Sequence, residues 1–358
     1  MKRAVVAAWA GAGNVGDELI LRSLLQELRR LGVAPVVLSL DPESTSRTHG
    51  VEATSNRGLW AALDTSDAMI FGGGGLVQDR SSLWSPWFQL ARPWLAGRRR
   101  RPLSALGLGA EPARSPTTSW IVRHGLRQVS EIVARDERSA RVLRSFGLSR
   151  VSVGADLAWL LPAPAAPPQR PATVVVSLAP PSGAARMIPA RFKAEPERAL
   201  ERVAAVVAPQ LDRLARVAGL HVRFVSMDHR RDGRLHDAVK GRLTVDSTTV
   251  EPDAMTALEE FSGAQLVIAA RYHACVGALL SRRPLVALSY ATKVSDLVRG
   301  MSEGVRLLPY SRRGIDDLAE GALGLLDAPG GSLPSLSQPF AERAQVNRDS
   351  LERFILSL

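Results

Sequence analysis

The chain has 358 residues, 46% of them hydrophobic and 23% charged, which is longer than one hydrophobic core usually supports and far from the composition of a disordered protein. Lys and Arg exceed Asp and Glu by 46 to 35, a net charge of +11 that favours anionic partners, yet the arginines are scattered with few aromatics interleaved, so no nucleic-acid partner is expected. A single cysteine, Cys275, excludes an intramolecular disulfide framework, and no run approaches the roughly 20 apolar residues that span a bilayer.

The opening MKRAVVAAWAGAG mimics a signal peptide, but its apolar run, residues 4–10, is short and leads straight into GNVGDE. A buried first strand is the better reading, and a cytoplasmic location is expected. A helix at about residues 17–31 follows, then the strand APVVLSL, a short helix around 59–63 and the strand DAMIFGG. PLSALGLGA, EIVARD and RVSVGAD are further strands, separated by the helices SWIVRHGLRQV and ERSARVLRSFG. Buried strand runs alternating with helices predict a parallel sheet covered on both faces, here a first domain over residues 1–160. Residues 161–172 carry five prolines, which stiffen the chain against helix and strand, and read as a linker. The pattern then restarts over residues 173–358. TVVVSLA, a helix over 196–218, HVRFVSM, a helix near 233–241 and LTVDS come first. A helix over 256–262, AQLVIAA, a small-residue helix after His273, PLVALSY and C-terminal helices complete it. The last helix, 341–358, is a candidate to cross back onto the first domain. The predicted fold is α/β: two doubly wound Rossmann-like domains facing across a cleft, where switch-point crevices bind ligands.

Several stretches at strand ends carry chemistry. In WAGAGNVGDELI, Gly11, Gly13 and Gly16 complete a G-x-G-x-x-G pattern whose backbone N–H groups can approach an anion. Asp17 and Glu18 place two carboxylates at the same helix start, which repels a pyrophosphate and suits a hydroxyl-rich ligand or acid–base catalysis, or merely complements the helix dipole. Gly13, Asn14 and Glu18 are therefore candidate substrate contacts and Asp17 a candidate base, while Asp41 could serve the ribose of a nucleotide. IFGGGGLVQD sets Gly72–Gly75 after a buried strand without the lysine of a P-loop. Gly73 and Gly74 bring bare backbone close to a ligand or to the facing loop, with Gln78 and Asp79 just beyond. VARDERSARVL puts Arg135 and Asp136 at a strand end and Arg138 in the next helix, where an arginine can grip a carboxylate or phosphate and Asp136 can cap the helix.

ARYHACVGALL is the sharpest of these. Its strand runs to Ala270, so Arg271 and His273 stand at the C-terminal edge, one a fixed positive fork and the other able to exchange a proton near neutral pH. A structural ion pair and a capping histidine are the plainer alternative. Cys275 and Tyr272 read as packing. SYATK adds Tyr290 and Lys293 at the next strand end. SMDHRRDGRLHDAV gathers Asp228, His229, Asp232, His236 and Asp237, but in no closed zinc spacing, so it reads as a solvated loop and helix start and no metal is expected.

Taken in order, GNVGDELI, GGGGLVQD, ARDERS, ARYHACVGA and SYATKVSDL resemble the polysaccharide pyruvyl transferase family across nearly the whole chain. The family's usual Arg-Leu-His is here Arg-Tyr-His, and its SYDPK is SYATK, which keeps Lys293 and loses an acid. The resemblance implies a two-domain fold like that of GT-B glycosyltransferases and transfer of the enolpyruvyl unit of phosphoenolpyruvate to a sugar of a cell-wall or exopolysaccharide precursor, with a pyruvate ketal formed and phosphate released. It implies no cofactor beyond that donor, which would lie against Arg271, His273, Lys293 and Arg138 or Arg135. It also implies a saccharide acceptor on the first domain, free or lipid-linked. A nucleotide-sugar glycosyltransferase and a non-catalytic sugar-binding protein of the same fold are the rival readings. The segment GRRRRP is compatible with docking on an anionic membrane surface, with an exposed solvated loop as the plainer reading.

Overall fold

The structure, a computed structural model, describes residues 1–79, 84–165, 172–180, 196–327 and 337–358. The chain divides into two compact units: Met1–Ala12, Asp17–Leu161 and Gln338–Leu358 form the first, Gly13–Gly16 and Pro162–Ser337 the second. A contiguous reading assigns the tetrapeptide 13–16 to the first domain, and the structure groups it with the second unit; the last helix, a candidate to cross back, is grouped with the first. Residues 166–171 of the expected linker lie outside the described residues.

The first unit runs β1 (Arg3–Ala10), α1 (Val15–Arg30), β2 (Ala34–Ser39), α2 (Pro42–His49), β3 (Glu52–Thr54), α3 (Leu59–Asp64) and β4 (Ala68–Val77). It continues with α4 (Ser85–Arg98), β5 (Leu103–Ala110), α5 (Pro116–Leu126), β6 (Ile132–Ala134), α6 (Glu137–Ser145) and β7 (Val151–Val153). Its seven strands are all parallel, in the order β3-β2-β1-β4-β5-β6-β7, so the direction of winding reverses between β1 and β4. The central strands are continuous apolar runs because helices cover both faces; every residue of β5 is buried.

The second unit holds β8 (Thr173–Ser177), α7 (Pro196–Ala218), β9 (His221–Val225), α8 (Gly233–Lys240), β10 (Ser247–Val250), α9 (Ala257–Ser262) and β11 (Leu266–Ala269). Then come α10 (Tyr272–Leu280), β12 (Leu285–Ser289), α11 (Thr292–Leu297), β13 (Val305–Pro309), α12 (Arg312–Asp316) and α13 (Leu318–Asp327). Its parallel sheet is ordered β10-β9-β8-β11-β12-β13, with the reversal between β8 and β11. Both sheets thus follow the dinucleotide-binding winding order, which opens a crevice beyond the carboxyl ends of the strands at each reversal.

The final helix, α14 (Gln338–Leu356), belongs to the first unit. Buried Asn347 ties it there, donating to the Ala155 carbonyl (2.9 Å) and accepting from the Gly107 N–H (2.8 Å). Arg348 adds a two-point pair with Glu27 at 2.9 and 2.6 Å. Two helices that the sequence reading leaves as loop are present. In α2 only Thr45 and His49 are buried, so no apolar stripe announces it; Asp41 caps it through the Ser44 N–H (3.0 Å), with Pro42 in the first turn. In α4, Pro93 sits inside the helix and interrupts the usual signal.

Candidate functional site

At the second unit's reversal, β11 ends and Arg271 becomes the residue before α10, in extended backbone. Its guanidinium is locked from one side. Nε donates to both oxygens of Asp232 (3.1 and 3.2 Å), and Nη2 bonds Asp232 and also reaches Asp228 at 3.4 Å. Nη1 makes no hydrogen bond to a described residue, so one edge of the fork remains for a ligand. Asp232 is fully buried and also accepts the Met227 and Asp228 N–H groups at 3.1 and 3.0 Å, which fixes the turn after β9. Burial works to lower the Arg271 guanidinium, but the Asp232 carboxylate outweighs it and holds Arg271 above its ordinary value, as a permanent cation. This corrects the reading of SMDHRRD as a solvated loop: Asp228 and Asp232 are buried carboxylates that position Arg271, and His236 is buried behind them.

His236 accepts the Leu178 N–H through Nε2 (3.2 Å) at the end of β8, and complete burial lowers its imidazole to about 4. It is neutral at physiological pH. The Ser177, Ser226 and Tyr310 hydroxyls of this unit are also buried without a hydrogen-bond partner among the described residues. Lys293, in the first turn of α11, lies with Nζ 5.9 Å from the centre of the Tyr272 ring, so Tyr272 is buried packing that also supports a cation. Tyr290, at the end of β12, is half-buried against the core of the unit. Cys275 is fully buried, its thiol pushed up to about 12 by burial, and is inert packing.

His273 is half-buried in the first turn of α10, its ring edge-on to Tyr272. The tetrapeptide 13–16 packs here. The Val15 N–H donates to the Met227 carbonyl (2.9 Å), the His229 N–H to the Gly13 carbonyl (3.0 Å), and Asn14 forms an antiparallel bridge with Asp228. Asn14 also closes its own turn on the Gly16 N–H at 3.0 Å. A Cβ on Gly16 would stand 2.1 Å from His273 Nδ1, so glycine there lets backbone approach the imidazole edge directly. The sequence pattern places these glycines for an anion; the structure uses Gly16 to admit a histidine.

At the first unit's reversal the chemistry is different. Gly73 and Gly74 are left-handed, with φ +82° and +78°. A Cβ on Gly73 would meet Ile20 Cγ2 at 1.9 Å, and one on Gly74 would meet Asp17 Oδ1 at 2.9 Å. The bare backbone of β4 thus lies against the start of α1 and the half-buried Asp17 carboxylate. Glu18 has both oxygens engaged, one by the Gly11 N–H (2.7 Å), the other by His49 Nε2 (2.8 Å). Asp79 is buried and accepts the Arg114 N–H at 2.8 Å, while Gln78 beside it is half-buried. Asp136 caps α6 through the Ser139 N–H (2.6 Å) and pairs with Arg135 Nε at 3.2 Å; Arg138 is half-buried in the first turn. Among the described residues, no three metal-ligating side chains come together.

The sequence matches the polysaccharide pyruvyl transferase family over residues 14–292. The chain belongs to the polysaccharide pyruvyl transferase family. That match begins within the tetrapeptide grouped with the second unit, covers β2 to β7 of the first sheet and β8 to β12 of the second, and ends at the start of α11. No curated protein matches it in sequence. Solved structures similar in fold include the S. aureus MnaA–UDP co-structure, at 12% identity and TM-score 0.63 over 98% of this chain and 94% of that one. The UDP-GlcNAc 2-epimerase of Methanocaldococcus jannaschii (10%, TM-score 0.63, 97% and 98%) and Anabaena Alr3699/HepE in complex with UDP and glucose (13%, TM-score 0.60, 100% of each) are also similar. At these identities the likeness shows the fold: two Rossmann-like α/β domains of the GT-B kind.

In this member of the family, the residues singled out from sequence fall into two groups. Arg271, His273, Lys293, Tyr290, Gly13 and Asn14 belong to the second unit, and Asp17, Glu18, Gly73, Gly74, Gln78, Asp79, Arg135 and Arg138 to the first. Sequence reading missed Asp232 and Asp228 as the anchors of Arg271. The available signal was their spacing of four directly after a buried strand, which stacks both carboxylates on one side of a turn.

Proposed function

We propose that the protein transfers the enolpyruvyl unit of phosphoenolpyruvate to a saccharide of a cell-wall or exopolysaccharide precursor, forming a pyruvate ketal and releasing phosphate. The observation that carries this reading is the one-sided lock on Arg271, a fixed, permanently charged fork whose Nη1 makes no hydrogen bond to a described residue. Such a fork suits a ligand with two anionic groups, and Lys293 supplies a second positive charge. In the proposed reaction His273 delivers a proton to the methylene carbon of the donor, and the adjacent carbon takes on oxocarbenium character. One sugar hydroxyl attacks that carbon and loses its proton to Asp17. A second hydroxyl of the same sugar then displaces the phosphate, which leaves with the C–O bond electrons and takes up the proton of that hydroxyl, and the ketal closes. Arg271 and Lys293 stabilise the phosphate charge as it develops. Arg138 or Arg135 is assigned to the donor carboxylate.

The rival reading, a nucleotide-sugar glycosyltransferase, is supported by the UDP bound in solved structures of the same fold. Phosphate release decides between them. With an acceptor saccharide present, phosphoenolpyruvate should yield inorganic phosphate and a ketal-bearing sugar, and UDP-sugars should yield no UDP. If UDP appears and phosphoenolpyruvate stays intact, the pyruvyl assignment fails.

A further inference from the structure

The outward face of α4 is apolar where a surface helix is normally polar. Trp84, just before its first turn, is 79% exposed and Phe88 41%, and Ala91 and Trp94 continue the stripe at helical spacing, half-buried, while Trp87 and Leu95 beside them turn partly onto the core. Trp120 of α5 is 44% exposed and extends the patch, stacked on Trp87 with ring centres 5.6 Å apart and edge-on to Trp94 at 6.3 Å. The stripe runs into Arg98–Arg101, the first three of them exposed. Arg98 lies over Trp94, and Arg99 covers Trp60 and pairs with Asp64 at 2.9 Å. Between residues 84 and 130 the sequence holds eight arginines against one acid, Glu111. A cavity of about 570 Å³, lined by Pro116, Trp120, Arg123 and His124 among others, opens beside the stack.

We propose that this α4–α5 face docks on an anionic phospholipid surface. Tryptophan and phenylalanine rings settle at the boundary between headgroups and acyl chains, while arginines bind the headgroup phosphates, and this patch offers both side by side. A dimer formed through the same face would bury the aromatics but would set the Arg98–Arg101 runs of two copies against each other or leave them unused. The charge excess therefore selects an anionic surface. Among the described residues no helix is long and apolar enough to cross a membrane, so the contact proposed is peripheral. It is independent of the pyruvyl reading, because binding to vesicles requires neither donor nor acceptor.

Flotation of the full chain with vesicles tests it. The protein should float with phosphatidylcholine vesicles containing phosphatidylglycerol and stay behind with pure phosphatidylcholine, and its tryptophan emission should shift to the blue on binding. The quadruple variant R98Q/R99Q/R100Q/R101Q and the pair W84S/F88S should each weaken partitioning at least tenfold. R202Q/R282Q/R312Q/R313Q, which removes the same charge from exposed arginines of the second unit, should change it less than twofold. Circular dichroism melts of every variant separate lost docking from lost fold. Equal loss in the charge-matched control would reduce the effect to general basicity and overturn the proposal. So would a wild-type dimer that W84S/F88S converts to a monomer while vesicles bind neither.

Discussion

The two sheets share one winding order, but the chemistry at their reversals is opposite. The second unit concentrates charge: Arg271 is clamped by two buried carboxylates, a neutral His236 stands behind it, and Lys293 rests over Tyr272. The first unit removes side chains altogether, bringing the left-handed backbone of Gly73 and Gly74 against Ile20 and Asp17. A clamped cation suits an anionic donor. Bare backbone next to a carboxylate suits a ligand rich in hydroxyls. Topology thus fixes where each site opens, and the residues at the strand ends fix what each can hold.

The largest expected effect separates these roles. Arg271→Ala should reduce phosphate release from phosphoenolpyruvate by about 10³-fold or more, in line with loss of a charge stabiliser. It should also cost about 3 kcal/mol in denaturant unfolding, because Asp232 is left buried without its partner. A variant with near-wild-type turnover would remove the second unit's claim to the donor. In the first unit, Gly73→Ala must place a Cβ 1.9 Å from Ile20 in left-handed backbone and should destabilise by about 3 kcal/mol, whereas Gly75→Ala, with nothing within 4 Å, should stay within about 0.5 kcal/mol. Equal melts for the two would contradict the close approach.

Between pH 6.5 and about 4 the second unit should contribute an acid response through His236. Folded His236 stays neutral down to about 4, while the unfolded chain takes up the proton near 6.5. Between these values the unfolded state binds more protons at this group, so the contribution of His236 is fully present above pH 6.5 and falls by about 3 kcal/mol as the pH drops to 4. His236→Gln should flatten that slope; an unchanged slope would assign it to other groups. The smallest effect probes the imidazole itself. Gly16→Ala pushes a methyl into the edge of His273 and should lower kcat about tenfold, a change expected from displacing a catalytic group by less than an ångström. Measured turnover equal to wild type would show that the position of His273 does not matter.

Much of this arrangement could be read from the sequence, for a physical reason. Strands of a parallel sheet are buried on both faces and so appear as unbroken apolar runs, which located β1, β4, β5, β8, β11 and β12 and, with them, the polar residues at their ends. Arg271, His273 and Lys293 stood out because nothing in a buried strand needs them. Edge strands gave weaker signals: β13 and the three-residue β3 were absent from the reading, and β10 begins at Ser247, where the expected strand ends. Asp228 and Asp232 were misread because a run of charges looks solvated until the fold buries it. The grouping of Gly13–Gly16 with the second unit left no local mark at all, since it rests on hydrogen bonds to Met227 and His229, more than 200 residues away in the sequence.

The donor assignment turns on what Arg271 holds. Calorimetric titration of the wild-type protein with phosphoenolpyruvate and with UDP-glucose, repeated on Arg271→Lys, addresses this without any acceptor. Phosphoenolpyruvate should bind, UDP-glucose should neither bind nor displace it, and the lysine, which keeps the charge but loses the fork, should weaken the donor at least tenfold. Heat from UDP-glucose with none from phosphoenolpyruvate, or equal affinity in the lysine variant, would contradict it.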